Sequence, residues 1–248
     1  DDTTDDGSTV TVAAFRQQMQ FLKKHYRVVP LVEAVAALDR RGHGDRLVAI
    51  TFDDGYLDNA TIAAPILRAL DLPASFFVST DMIGTTRPFP HDVEQGRPPQ
   101  AHMSWDDLRS LAASGFEIGS HTCSHADLGA ASIDEATREL RQSRQRIEDE
   151  LKIPVRLFSF PYGHPRNMRR DTLAAARAEY EICCEAHGGH NTAPVDRGRV
   201  RRIVISTRVT FLAFRALLEG WPMLRLENTY HARVAGEPAP EAIEAPPR

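Results

Sequence analysis

Short apolar runs alternate along this chain with longer segments whose apolar positions recur at helical spacing, and that alternation leaves few folds open. The run RLVAITF at 46–52 is continuous and contains β-branched residues, the pattern of a strand buried on both faces. NATIAAPILRALD then reads as helix, ASFFVST as strand, SWDDLRSLAASG as a helix capped by Ser104 with Asp107 at the third position beyond it, and FEIGSH as strand. An amphipathic helix rich in Arg and Glu follows over about 132–151, then the strand VRLFSF, the helix MRRDTLAAARA and the short strand YEICC. Ahead of this series, Phe15, Met19 and Leu22 share one side of a helix expected over about 11–25, YRVVP is a short strand, and LVEAVAALDRRG is a helix closed by Gly42. Strands separated by helices of about ten or more residues pair in parallel through right-handed crossovers. The expected class is α/β, and a count of about seven strands favours a barrel, complete or incomplete, over an open sheet.

The 248 residues are enough for one sizeable core, so a single catalytic-size domain over 1–235 is expected, followed by a Pro, Ala and Glu-rich tail at 236–248 with little to bury. Residues 82–103, MIGTTRPFPHDVEQGRPPQAHM, break every period and read as an inserted loop long enough to wall a substrate groove. A net charge of −4 argues against nucleic acid as a partner, because phosphate binding needs concentrated Lys and Arg, and the small basic group at 197–202 stands alone. Cys123, Cys183 and Cys184 form neither a disulfide framework nor a C-x-x-C pair. No apolar run approaches the roughly 18 residues that cross a bilayer, and the opening DDTTDDGST is unlike an export signal, so an exported form would have lost its signal or lack it here.

Two polar stretches sit where strands end. In TFDDG, at 51–55, adjacent side chains of a regular strand would point to opposite faces, but at a strand's end Gly55 allows both Asp53 and Asp54 to turn toward the rim. Ligands of parallel sheets bind at the carboxyl ends of strands, so the location matters as much as the residues. In HTCSH, His121 and His125 have the spacing that puts two imidazoles on one face of a helical turn. Each stretch has an ordinary reading, as a helix cap or as surface histidines. Brought together, they make a two-histidine, one-carboxylate set for a divalent ion with open positions for water. Such an ion lowers the pKa of a water it holds from about 15.7 toward about 7 and polarises a carbonyl under attack. One aspartate is then a ligand and the other is free to act as general base. SFPYG at 159–163 ends a further strand; Pro161 fixes the backbone, Gly163 permits a turn, and the Tyr162 N–H can face an oxyanion. His164, His187 and His190 are further rim candidates, and Phe89, Trp105 and Tyr162 supply few aromatic surfaces for a ligand.

These segments resemble the polysaccharide deacetylases of carbohydrate esterase family four, which share the chitooligosaccharide deacetylase homology domain. The likeness runs from FRQQMQFLKKHYRVVPLVEAV through TFDDGY, SHTCSH and FSFPYG to the strand RRIVI. It implies a distorted (β/α) barrel and metal-dependent removal of acetyl groups from N-acetylated sugars. By that resemblance Asp53 is the catalytic base, Asp54, His121 and His125 are the metal ligands, and the Tyr162 amide binds the oxyanion. Zinc is the first expectation for the ion, with cobalt, nickel or manganese admitted by the same ligands. The expected partner is an N-acetylated glycan, and the family's usual place is the periplasm or the cell exterior.

The chain also departs from the family. Many members have an Arg where this chain has Ser159; the resemblance to members in which an arginine from a later strand takes over implies Arg201 or Arg202 as the partner of the base, with Arg156 less suited. The late Leu-x-His that supplies the general acid is absent, leaving His190 in AHGGHN as a weak substitute. The upstream Tyr-His segment is absent too, as expected of a truncated or processed N-terminus. Two other readings remain open at this level: hydrolysis of a non-sugar amide or an O-acetyl ester, and a glycan-binding protein that has lost turnover.

Overall fold

The computed structural model describes residues 10–40 and 46–220. The chain divides into two compact units, Asp1–Arg208 and Val209–Arg248. In the first, helix α1 (Val12–His25) is followed by β1 (Arg27–Val28), α2 (Leu31–Asp39), β2 (Leu47–Val48), β3 (Thr51–Phe52), a π-helical turn (Asn59–Ala63), α3 (Ala64–Ala69) and β4 (Ser75–Val78). Then come α4 (Pro90–Glu94), α5 (Trp105–Ala113), β5 (Glu117–Ser120), α6 (Ile133–Leu151), β6 (Leu157–Ser159), α7 (Arg170–Glu179), β7 (Ile182–Gly188) and β8 (Val200–Arg202). In the second unit, α8 (Phe211–Leu218) is capped by Thr210, whose Oγ1 accepts from the Ala213 N–H at 3.2 Å.

Strands β3 to β8 form one parallel six-stranded sheet in chain order, and β1 and β2 form a separate parallel pair. Each strand of the sheet is joined to the next by a crossover, and two of the crossover helices, α5 and α6, start at side-chain caps. Ser104 and Asp107 form a reciprocal capping box at α5, and Ser132 Oγ accepts from the Glu135 N–H at α6. One face of the sheet carries Phe77, Leu157, Ile182, Cys184 and Val200, which bury together against Leu31 and Val35 of α2. The other face meets the outer helices: Ser120 lies 2.7 Å from Ser143 of α6, and Phe158 stacks on Tyr180 at the end of α7. Because α2 begins at Pro30 with no side-chain cap, its first donors are satisfied from the sheet, where the Glu117 carboxylate accepts from Leu31 N at 2.8 Å, Val32 N at 3.2 Å and Ser75 Oγ at 2.6 Å.

The sheet is curled into a half-barrel. Six strands laid flat at about 4.8 Å spacing would hold their edges about 24 Å apart. Yet Arg202 on the last strand donates to Thr51 Oγ1 on the first at 3.1 Å, a contact only a strongly curved sheet allows. The α/β barrel expectation therefore holds, in incomplete form.

Several local expectations change. RLVAITF is not one strand buried on both faces: it breaks into β2 and β3, which belong to different sheets, and of residues 47–52 only Ile50 is buried. A segment that crosses from one sheet to another is covered fully by neither. The helix expected through Pro65 opens with a π turn, since Pro65 has no N–H to continue an α ladder back to Thr61. YEICC is the start of a longer strand that runs to Gly188. The inserted loop holds the short helix α4 and pairs with the segment after β3, through Leu57 N to Ala101 O at 2.8 Å and Met103 N to Gly55 O at 2.9 Å. Gly42 and the tail from 236 lie outside the described residues.

Candidate metal centre and active site

At the carboxyl end of β3 the two aspartates part company. Asp53 keeps the inward direction of Thr51, whereas Asp54 has φ 71° and Gly55 φ 75°, so the chain turns away sharply and carries the Asp54 carboxylate toward β5. A side chain on Gly55 would also stand 3.0 Å from Val78 Cγ1.

His121 extends the pairing of β5, with its N–H to Val78 O at 2.9 Å. The following residues do not form the helical turn that the spacing suggests. Thr122 and His125 have φ 68° and 62°, and the loop is held from outside by Glu139 of α6, which accepts from Cys123 N at 2.8 Å, Ser124 N at 3.0 Å and Ser124 Oγ at 3.0 Å. The imidazoles still converge. His121 Nε2 lies 3.3 Å and His125 Nε2 3.2 Å from Asp54 Oδ1, and both rings are 2% exposed.

The donor chemistry of this cluster fits a divalent cation. Asp54 Oδ1 is buried with no hydrogen-bond partner, although two imidazole nitrogens approach it. His121 Nδ1 lies 2.7 Å from the Ser159 carbonyl oxygen, which can only accept, so Nδ1 carries the proton and Nε2 presents a lone pair to the cluster. One carboxylate oxygen and two Nε2 atoms within 4.8 Å of one another form a facial set with room for further ligands. Burial works against the Asp54 charge, so the carboxylate is favoured there only with positive charge beside it, which an ion or a protonated imidazole supplies.

Asp53 takes no part in that set. Arg202 Nη1 donates to Oδ1 at 2.8 Å and Nη2 to Oδ2 at 2.6 Å, and Ser159 Oγ donates to Oδ2 at 3.1 Å. Arg202 in turn uses all five of its N–H donors, reaching the Glu185 carbonyl from Nε at 2.9 Å, Thr51 Oγ1 from Nη1 and Ser159 Oγ from Nη2 at 2.7 Å. Burial raises the Asp53 pKa, but the charge and hydrogen bonds of Arg202 outweigh it, and the carboxyl is held below its ordinary value. Of the two arginine candidates, Arg202 is the one that meets Asp53. Arg201, one residue along β8, points to the other side, where its Nε stands 4.0 Å from Glu185 Oε1. Arg156 pairs with Glu181 at the far end of β6.

Tyr162 occupies the centre of a tight turn, with φ 62° and the Gly163 N–H donating to Pro161 O at 2.7 Å. Its ring stands edge-on to His125 at 4.8 Å, which brings this turn to the cluster. His190 is exposed past the end of β7 and is not among the groups gathered around Asp54. His164 and His187 stack on each other at 4.2 Å. The Arg146 guanidinium lies over the Trp105 ring, 5.7 Å from its centroid.

The inserted loop brings residues that the sequence offered no period to single out. His91 lies 5.1 Å from the His125 ring and 6.0 Å from that of Tyr162, and it stacks on the buried Phe89. The buried Asp92 behind it accepts from Tyr56 Oη at 2.6 Å and from Arg97 Nη1 at 2.9 Å.

Comparison with known proteins agrees with this geometry. Residues 40–182 match the family described as polysaccharide deacetylase. The chain is 25% identical over 208 residues to the Bacillus subtilis protein YxkH, spanning 83% of this chain and 68% of that one. It is 24% identical over 220 residues to the poly-beta-1,6-N-acetyl-D-glucosamine N-deacetylase of Staphylococcus epidermidis, spanning 86% and 72%. Among solved structures, the Streptococcus pyogenes deacetylase PplD in complex with acetate superposes with a TM-score of 0.70 at 25% identity, over 84% of this chain and 87% of that one. The family match takes in Asp53, Asp54, His121, His125 and Tyr162 and covers more than half of the chain, which therefore belongs to the polysaccharide deacetylase family.

Proposed function

We propose that this protein is a metal-dependent de-N-acetylase that hydrolyses the acetamide of amino sugars within a polysaccharide or oligosaccharide. The observation that carries this reading is the convergence of Asp54, His121 and His125 on one point beside a second carboxylate, Asp53, that is held apart from them by Arg202. Asp54 and the two Nε2 atoms would hold the ion, with zinc the first choice and cobalt, nickel or manganese compatible. When bound, such an ion supplies Lewis acidity and a water acidic enough to be deprotonated near neutral pH.

The chain's own residues then have separate tasks. Asp53, ionised at neutral pH because Arg202 favours its charged form, accepts the proton of the attacking water. Arg202 and Ser159 orient the carboxylate and stabilise it before and after the transfer. The Tyr162 N–H, directed by the turn at Pro161–Gly163, donates to the oxyanion as it develops on the acetyl carbonyl oxygen. The proton that the leaving amine takes up has no donor assigned in this chain, and the exposed position of His190 does not support the role for it.

The named substrate of the Staphylococcus epidermidis relative makes β-1,6-linked N-acetylglucosamine the first polymer to try. The test is acetate release after metal stripping and restoration with zinc, cobalt or nickel, on β-1,4 and β-1,6 N-acetylglucosamine oligomers, peptidoglycan fragments and acetylated xylan. Metal-restored release from an amino-sugar polymer is expected. Release from xylan alone would make the protein an O-acetyl esterase, and metal binding without release from any polymer would move the reading to a hydrolase of a non-sugar amide or to a glycan-binding protein.

A further inference from the structure

A histidine that ligates through Nε2 needs an acceptor for its Nδ1–H, because that outer bond fixes the tautomer and the ring plane. His121 has one in the Ser159 carbonyl. His125 does not: its Nδ1 is buried and has no hydrogen-bond partner. A buried N–H left so costs roughly 1–3 kcal/mol, which is hard to reconcile with a ligand whose partner ring is well anchored.

The neighbouring ring has the complementary defect. His91 Nδ1 is also buried without a partner, and its ring centroid lies 5.1 Å from that of His125. Two imidazoles joined by an N–H···N bond of about 2.9 Å would have centroids about 5 Å apart, since each nitrogen lies about 1.1 Å from its own centroid. The rings, 5.1 Å apart and inclined at 48°, stand at a spacing that admits this bond; neither Nδ1 has a partner as the rings now lie, so a change of ring orientation is what closes it. On its other side, His91 Nε2 stands 3.6 Å from Asp92 Oδ1, and Asp92 is itself clamped by Tyr56 and Arg97. A carboxylate there favours the tautomer with the proton on Nε2, leaving Nδ1 as an acceptor.

We propose that His91, carried by the inserted loop, is the outer partner of His125, accepting the hydrogen bond from its Nδ1–H when Nε2 ligates the ion. This rests on the reading of Asp54, His121 and His125 as a metal centre. The line Asp92, His91, His125 then ties the loop to the metal site, and Phe89, with its ring 4.7 Å from His125 and stacked on His91, keeps water from the junction. His91 acts through His125 and is a positioning residue.

The test compares metal affinity and ligand protons in the full chain. Zinc affinity, measured by competition with a chelator, is expected to fall about 10- to 100-fold in His91→Phe and to recover in part in His91→Asn, whose amide oxygen can accept the same bond. In the cobalt-loaded protein, the exchangeable Nδ1–H signal of His125 should be present and slow to exchange in wild type, and lost or fast in His91→Phe. Wild-type zinc affinity in His91→Phe, with His125→Ala having lost the metal, would overturn the role of His91 while leaving the metal centre intact. Equal affinity of wild type and His125→Ala would overturn the metal centre itself, and the inference with it.

Discussion

Arg202 on the last strand of the half-barrel and Asp53 on the first are joined by two parallel hydrogen bonds of 2.8 and 2.6 Å. This pair spans the open side of the curled sheet, so one contact contributes both to the shape of the fold and to the state of the proposed base. A paired guanidinium keeps the carboxylate charged and aimed, while Ser159 fills the gap between them with a hydroxyl that donates to one and accepts from the other.

Removing the guanidinium should therefore cost more than removing a surface charge. Arg202→Met leaves Asp53 as a partly buried carboxylate without its cation and is expected to destabilise the protein by about 3 kcal/mol, whereas Arg201→Ala should change stability by less than about 0.5 kcal/mol. Denaturant unfolding of the two variants side by side checks this. Equal losses would contradict the division between the two arginines.

The same pair sets an acid dependence. The Asp53 carboxyl is depressed below 3.8 in the folded chain, so the unfolded state binds its proton first as the pH falls. Stability from this group is complete above that ordinary value and is lost as the pH drops through the lower folded one. Unfolding midpoints of the metal-free protein should fall in that range, and Asp53→Asn should show a shallower fall than wild type. Identical slopes would mean that Asp53 is not held below its ordinary value.

Glu139 offers a test of the loop between the histidines. Its carboxylate accepts two backbone N–H groups and one hydroxyl from Cys123 and Ser124, all between the two proposed ligands. Glu139→Ala is expected to cost about 2 kcal/mol of stability and to weaken zinc binding measurably. The check is a chelator competition together with unfolding. Unchanged metal affinity would show that the loop keeps its shape without this clamp.

Much of this was legible in the sequence because it depends on local pattern. Gly55 after two aspartates at the end of an apolar run, and a histidine pair after a Gly-Ser strand end, mark the rim of a parallel sheet without any knowledge of distant contacts. What was not legible depends on register and curvature. Arg201 and Arg202 differ only in which face of β8 they occupy, and a two-fold alternation cannot be phased until the strand is paired. RLVAITF reads as one strand because hydrophobicity does not record a change of sheet. HTCSH was expected as a helical turn, but left-handed residues at Thr122 and His125 bring the same rings together by another path. His91 and Asp92 sit in an aperiodic insertion, where no spacing distinguishes them from solvent-facing loop residues.

The division of labour between adjacent aspartates is tested most directly by measuring bound zinc, by elemental analysis after dialysis, and acetate release on the same samples of wild type, Asp53→Asn and Asp54→Asn. Asp53→Asn should retain its zinc and lose about 10²- to 10⁴-fold in turnover, while Asp54→Asn should lose both. Wild-type turnover in Asp53→Asn, or full zinc content in Asp54→Asn, would contradict the account.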